Sequence, residues 1–194
     1  MDRGRFRSVI STLSAAIFSA NPLSTNNFES IATATVGSGG SATVTFSSIP
    51  STYTHLQIRA MGQSNRGGGQ DQFTMVINSD TTTNYYQHYL EGVGSGTPGS
   101  YGYPRNWICL GDFADGTYSA NAFGVAICDI LDYKNTNKYK VTRSLSGWDT
   151  NGQGYMRLDS GLWKSTSAIT SLTIGVQDGT LINQYSKFAL YGIK

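Results

Sequence analysis

Two pairs of closely spaced carboxylates are the nearest candidates for catalytic residues in this chain. Asp112 and Asp115 form one pair, and Asp129 and Asp132 form the other. Two neighbouring carboxylates can act as acid and base in glycoside hydrolysis. However, aspartates with this spacing are common in loops, where they accept hydrogen bonds from nearby backbone groups. We therefore favour a structural role for both pairs and predict a protein without catalytic residues.

The two histidines and the two cysteines form no metal-binding or catalytic pattern. His55 and His88 lie in or beside strand-like segments and have no ligand spacing to either cysteine. Cys109 and Cys128 each lie in an apolar run, where a free cysteine behaves as a small hydrophobic residue. We expect two free core thiols, with one disulfide as the alternative. The sequence also lacks a phosphate-binding glycine motif and a regular calcium loop, so we predict no cofactor and no metal.

Aromatic residues are concentrated in two polar stretches that suit contact with a ligand or a neighbouring subunit. Tyrosine offers a flat apolar face and a hydrogen-bonding tip, which fits both a glycan and a subunit interface. We favour subunit packing and keep contact with a host-surface glycan as the alternative. The candidate residues are Tyr85, Tyr86, Tyr89, Tyr101 and Tyr103.

A local group of basic residues precedes and enters one predicted strand. It consists of Lys134, Lys138, Lys140 and Arg143, and no base-stacking aromatic residues accompany it in a recognisable module. Such a group is typical of a solvated hairpin rather than of a nucleic-acid interface. We therefore predict no nucleic-acid partner.

Composition predicts one folded domain with a basic appendage. Charged residues make up 13% of the 194-residue chain, about half of the ~25% usual in soluble proteins. Three arginines and one aspartate give the first seven residues a formal charge of +2, and the other residues hold 11 basic and 11 acidic side chains. Aromatic residues reach 12%, which argues against intrinsic disorder. No run approaches the roughly 18 apolar residues that span a bilayer.

The first twenty residues have the spacing of a short amphipathic helix. Apolar residues recur at three and four positions, and Asn21-Pro22 ends the helix. A cleaved signal peptide and a helix lying on a membrane surface are weaker alternatives, because serines interrupt the apolar run and the apolar stripe is narrow. We favour a docking helix that packs on copies of itself or on a partner protein, and we assign residues 1–27 to this helix and a linker. The proposed contact residues are Phe6, Val9, Ile10, Leu13 and Ile17.

Residues 28–194 show a succession of short strand patterns and no second helical period. A glycine turn at 37–40 predicts a hairpin between the first two strands, and residues 94–104 predict a long loop. Both faces of the last strand are apolar, which predicts a central position in its sheet. We expect an all-β fold, a jelly-roll-like antiparallel β sandwich of about ten strands preceded by the short N-terminal amphipathic helix. The predicted strands are 31–36, 42–46, 56–60, 73–77, 85–93, 107–110, 122–133, 139–145, 155–162, 171–176 and 187–193.

Five stretches of the body, taken in order, resemble a β domain of tailed-bacteriophage virion proteins, those of cyanophages especially. Together they cover most of residues 28–194, and the resemblance does not extend to residues 1–20. The stretches are FESIA with VGSGG (28–40), FSSIP with YTHLQIR (46–59), ILDYKNTNKYK (130–140), GLWKS (161–165) and FALYGIK (188–194).

The resemblance implies a non-enzymatic virion protein made in the host cytoplasm and assembled into the particle. It implies a homo-oligomer, of which we favour a trimer, attached to other virion proteins. Because the last strand runs to Lys194, we expect attachment through the N-terminal helix. A tail fibre or baseplate component involved in host attachment is our first expectation. The alternatives are a capsid decoration protein (a cement or head-fibre protein) and a carbohydrate-binding module that reads a receptor, and we expect no membrane partner.

Overall fold

The structure is a computed structural model that describes residues 27–94, 96–118 and 120–194. The described residues form strands without helices, so the prediction of an all-β body is confirmed. The predicted docking helix, with Phe6, Val9, Ile10, Leu13 and Ile17, lies outside the described residues. The strands are β1 (Phe28–Thr35), β2 (Val44–Phe46), β3 (His55–Gly62), β4 (Gln70–Ile77), β5 (Tyr85–Val93), β6 (Gly99–Arg105), β7 (Ile108–Ala114), β8 (Gly124–Leu131), β9 (Lys140–Asp149), β10 (Gly154–Trp163), β11 (Leu172–Val176) and β12 (Lys187–Ile193).

The described strands form two antiparallel sheets that pack as a β sandwich. The larger sheet has eight strands in the order β1-β12-β3-β8-β9-β10-β5-β6, and the smaller sheet has four in the order β2-β11-β4-β7. Strands that are neighbours in a sheet are often distant in sequence, as β12 beside β3 and β11 beside β2 show. The pairing therefore depends on long-range contacts.

The core lies between the two sheets and is built by alternation along the strands. In β3, for example, Leu56, Ile58 and Ala60 are buried, and Arg59 and Met61 are exposed. Because successive side chains of a strand point to opposite faces, this pattern places one face of the larger sheet on the core. The opposite face of that sheet, called the outer face below, carries the intervening residues.

The predicted hairpin between the first two strands is wrong. β1 pairs with β12 in the larger sheet, and β2 pairs with β11 in the smaller one. At the end of β1 the amide of Val36 donates to the carbonyl of Ser186 at 2.8 Å, and the chain then crosses between the sheets at 37–40. The glycine turn is present, with Gly39 and Gly40 at positive φ, but it connects two sheets rather than two neighbouring strands.

The predicted loop at 94–104 is also wrong in part, because Gly99–Arg105 forms the edge strand β6. Glycine and proline disfavour a central strand, but Pro104 needs no ladder hydrogen bond on the open side of an edge strand. A side chain at Gly102 would place its Cβ 2.3 Å from the ring of His88, so any larger residue would require this exposed ring to move.

The last strand, β12, occupies the central position that its sequence predicts. It lies between β1 and β3 and pairs with both along its length. Phe188 and Leu190 are fully buried, and Ala189 is nearly so. Beyond the strand, the amide of Lys194 donates to the carbonyl of Asn27 at 3.1 Å. The two ends of the described domain therefore lie side by side.

Candidate functional site

The first carboxylate pair does not form a joint site, because its two members have different partners. Asp115 accepts hydrogen bonds from the amides of Gly68 (2.8 Å) and Gly69 (2.5 Å) and also from Thr117, and so fixes a loop. Burial of Asp115 opposes its ionisation, but these hydrogen bonds together outweigh burial and lower its pKa. Asp112 instead pairs with Arg157 between the sheets.

The second pair, Asp129 and Asp132, is likewise engaged in structural contacts. Asp129 accepts a hydrogen bond from Nε2 of Gln57 at 2.8 Å, and Asp132 pairs with Lys138. The amide of Asp132 donates to Nδ1 of His55 at 3.0 Å. Within the described residues, no group of three or more histidine, cysteine, aspartate or glutamate side chains is arranged to hold a metal ion.

The basic group of the sequence is divided between core and surface. Lys140 is fully buried, and its ammonium donates to the carbonyls of Asn135 (2.6 Å), Lys138 (3.0 Å) and Thr166 (3.2 Å). Burial lowers the pKa of Lys140. The description of these residues as one solvated patch is therefore wrong for Lys140, which closes the turn before β9.

One guanidinium and three carboxylates are clustered at the boundary between the sheets. Arg157 on β10 donates to Asp159 and, through Nη1 at 2.8 Å, to Asp112 on β7. The same Nη1 lies 3.9 Å from the carboxylate of Glu91 on β5. The side chain of Arg157 is 1% exposed. We call these four residues the Arg157 cluster.

The Arg157 cluster carries more negative than positive groups in a site with little access to water. Burial raises the pKa of Asp112 to about 7, although the charge of Arg157 opposes this shift. Burial also raises the pKa of Asp159. Glu91 accepts a hydrogen bond from the hydroxyl of Tyr155. Since one guanidinium cannot balance three carboxylates, the cluster favours binding a proton.

The five tyrosines predicted as contact residues occupy three different environments. Tyr85 is fully buried, and its hydroxyl donates to the carbonyl of Asp80 at 2.8 Å, so the prediction that it contacts a glycan or subunit is wrong. Tyr86 lies half-buried on the outer face of the larger sheet. Tyr89, Tyr101 and Tyr103 lie together on the other face, where β5 pairs with β6.

These three tyrosines form a continuous aromatic surface at the edge of the larger sheet. The ring of Tyr89 lies 5.5 Å from that of Tyr101 and 6.1 Å from that of Tyr103, measured between centroids. The guanidinium carbon of Arg157 lies 3.6 Å from the centroid of Tyr89 and so supports that ring from below. Tyr101 is the most accessible of the three, at 57% exposed.

Sequence reasoning missed the two residues that extend this aromatic surface. The guanidinium carbon of Arg105 lies 4.1 Å from the ring centroid of Tyr103 and 4.6 Å from that of Trp107. The alternation of Tyr101, Tyr103 and Arg105 along one strand face was the available signal. It was overlooked because the surrounding glycines and Pro104 predict a loop. We call Tyr89, Tyr101, Tyr103, Arg105 and Trp107 the β6 platform.

The outer face of the larger sheet carries large apolar residues that no described residue covers. Cross-strand register aligns Ile127, Leu145, Leu158 and Leu90 in one row across β8, β9, β10 and β5. An adjacent row adds Met61, Val125 and Met156, and a separate row holds Leu131 and Val141. We call these nine residues the outer apolar surface; each is between 44% and 65% exposed.

A polar row separates the two apolar parts of the outer face. It consists of Gln57, Asp129, Arg143, Ser160 and His88, which are consecutive register partners across five strands. Arg143 has no hydrogen bond or ion pair with any described residue. A groove of about 640 Å³ lies at one end of this row, lined by His88, Leu90, Ser100, Tyr101, Arg143 and Ser160, among others.

Comparisons with known proteins do not assign the chain to a family. No family model matches the sequence, and no curated protein matches it with significance. Among the described residues, no helix is long and apolar enough to cross a membrane.

Proposed function

We propose that this protein is a non-enzymatic structural component of a bacteriophage virion and that its β domain assembles with copies of itself through the outer face of the larger sheet. The outer apolar surface is the observation that carries the proposal. Monomeric proteins rarely expose apolar patches of more than a few hundred Å². The sequence resemblance to tailed-phage virion proteins is the basis for proposing a virion location. We also propose that the sandwich has a jelly-roll arrangement.

The size of the outer apolar surface supports a stable interface. Its nine residues expose roughly 900 Å² in total, and each partner of a standard interface buries about 800 Å². Because the surface lies on paired strands of one sheet, its shape is fixed before a partner arrives. A preformed surface loses little conformational entropy on binding.

Charge favours a second copy of the chain as the occupant. The polar row between the apolar parts carries both signs, with Asp129 and Arg143 as register partners. The chain beyond the first seven residues holds equal numbers of basic and acidic side chains, so two copies have no net repulsion. A face that carries both signs offers each charge a partner of opposite sign on a neighbouring copy, so it suits a closed, symmetric homo-oligomer.

The assignments of the carboxylates support a role without catalysis. Each of the four carboxylates accepts a hydrogen bond from a neighbouring residue or forms an ion pair with one. They are Asp112, Asp115, Asp129 and Asp132. We propose a tail fibre or baseplate location, with a trimeric β domain and the N-terminal segment as the docking element. Capsid decoration is the second location that fits the same assembly.

The assembly is tested by the mass of the full chain in solution, measured by sedimentation. We expect an oligomer for the natural sequence and a folded monomer for the double variant Ile127→Asp with Leu145→Asp. The change Tyr185→Asp is the matched control, because Tyr185 is 69% exposed and lies outside the outer face. A monomeric natural chain, or an oligomer that survives the double change, would contradict the proposal.

A truncation separates self-assembly from docking. Removing residues 1–20 is expected to leave the oligomer intact and to abolish incorporation into phage particles. If the truncated chain became monomeric, self-association would depend on the N-terminal segment, which would contradict assembly through the outer face. Normal incorporation of the truncated chain would show that docking does not use this segment.

A further inference from the structure

We propose that the β6 platform binds a carboxylated oligosaccharide, with Arg105 holding the sugar carboxylate and the tyrosine rings stacking on the sugar faces. This site lies on the opposite face of the sheet from the outer apolar surface, so it goes beyond the assembly role. The proposal rests on the contacts of Arg105, the geometry of the aromatic rings and the support that Arg157 provides.

Arg105 is a cation with donors available to a ligand. Its guanidinium packs on the rings of Tyr103 and Trp107. Within the described residues its side chain makes no hydrogen bond and no ion pair, and its buried Nε has no partner. Because Nε is buried, the donors open to a ligand are those of the two Nη atoms, which have no partner among the described residues. A planar guanidinium in this state matches a carboxylate through two parallel hydrogen bonds.

The aromatic rings extend the site in the direction of a linear sugar chain. Tyr101, Tyr103 and Arg105 alternate along one face of β6, so the row from Tyr101 to Arg105 measures about 13 Å at the usual rise of a strand. That length accommodates two to three sugar rings. Tyrosine and tryptophan rings stack on the apolar faces of sugars and keep polar tips for the hydroxyl groups.

The platform is rigid because the Arg157 cluster supports it. The ring of Tyr89 lies on the guanidinium of Arg157, which is itself fixed by Asp112 and Asp159. Tyr89 in turn contacts both Tyr101 and Tyr103. A ligand that stacks on these rings therefore finds them ordered in advance, which lowers the entropic cost of binding.

Charge selects an acidic sugar over a neutral one. Among the described residues no carboxylate pairs with Arg105 at this end of the platform, and packing on two rings reduces the contact of its guanidinium with water. A ligand carboxylate would satisfy the donors of Arg105, whereas a neutral sugar would cover them without an equal partner. The loss of a charge-assisted hydrogen bond is worth more than tenfold in affinity.

Calorimetric titration of the full chain with trigalacturonic acid tests the proposal, and its methyl ester is the matched neutral probe. We expect saturable binding of the acid and at least about tenfold weaker binding of the ester. Arg105→Gln should weaken binding of the acid at least about tenfold, and Arg105→Lys should recover only part of the loss. Tyr101→Ala should weaken binding of both probes.

Two control variants show whether the effect belongs to the platform. Arg59→Gln removes another stacked arginine, at Phe28 and Tyr191, and Tyr185→Ala removes another exposed tyrosine. Both should bind the acid like the natural chain. No binding of the acid, equal binding of acid and ester, or an unaffected Arg105→Gln variant would overturn the proposal. Calorimetry measures binding by a monomer and by an oligomer alike. A failure of the proposed assembly therefore leaves these outcomes unchanged.

Discussion

Arg157 on β10 and Asp112 on β7 form a buried ion pair, with 2.8 Å between Nη1 and the carboxylate oxygen, that connects the two sheets of the sandwich. Two further carboxylates, those of Asp159 and Glu91, face the same guanidinium. The ring of Tyr89 lies on it from the other side. One side chain therefore connects the core of the fold with the aromatic surface at its edge.

Replacement of Arg157 by methionine should destabilise the domain by about 3–5 kcal/mol, because it leaves buried carboxylates without their cation. Urea denaturation followed by circular dichroism measures this change. Lys164→Met is the matched control, since Lys164 is exposed, and it should shift the free energy of unfolding by no more than about 0.5 kcal/mol. Equal small effects of the two changes would mean that the cluster contributes little to stability.

The stability of the domain should fall as pH rises through the range in which Asp112 titrates. Burial raises the pKa of Asp112 from 3.8 to about 7, so the folded state binds a proton that the unfolded state has released. As pH rises between these two values, the free energy of unfolding therefore falls by at most about 1.4 kcal/mol per pH unit. The groups that face it are Arg157, Asp159, Glu91 and Cys109.

The variant Asp112→Asn isolates this contribution. Asparagine keeps an oxygen that can accept from Arg157 but cannot titrate, so the decline in stability between about pH 4 and pH 7 should become shallower. Denaturant titrations at several pH values provide the comparison. The same slope in both proteins would mean that a group other than Asp112 binds the proton.

The two charged residues of the polar row, Asp129 and Arg143, should influence self-association. Arg143→Asp places a second negative charge beside Asp129 and should weaken the oligomer several-fold. Adding Asp129→Arg restores one charge of each sign and should recover most of the affinity. Sedimentation over a range of concentrations measures the effect. Denaturation of each variant verifies that the fold is unchanged, and an unaffected single variant would show that the polar row lies outside the interface.

Both cysteines should be unreactive in the folded protein. Cys109 and Cys128 are free and fully buried, and burial raises the pKa of both thiols, that of Cys128 to about 12. Because the thiolate is the reactive form, a disulfide exchange reagent should modify neither thiol in buffer and both in denaturant. Rapid modification of one thiol under native conditions would indicate local opening of its strand.

The sequence patterns identify most strands but not their partners. Alternation along residues such as Leu56, Ile58 and Ala60 depends on local geometry, so it is visible in the chain itself. The partner of β1 is β12, more than 150 residues later, and no local pattern records that choice. β6 was missed because glycine and proline mask an edge strand.

The candidate sites were harder to predict because they depend on charges and faces that the sandwich brings together. Arginine is usually found at exposed positions, so the sequence does not indicate that Arg157 is buried. Only the packing of β7 on β10 shows that Asp112 is its partner. Both faces of β8 are apolar, which suits a strand covered on both sides, yet the described residues cover only one. The tyrosines at 101 and 103 were found from composition, whereas Arg105 required the strand register.

The position of β12 has a consequence for how the protein is made. Among the described strands, β1 leaves the ribosome first, and its only sheet neighbour, β12, leaves last. β3 also waits for β12 on one side. One edge of the sheet therefore stays open until β12 has been synthesised, and closing it requires contacts between distant parts of the chain, which form slowly. The unpaired strands can pair with those of another nascent chain during the interval between synthesis of β3 and of β12. A shorter interval therefore lowers the risk of aggregation.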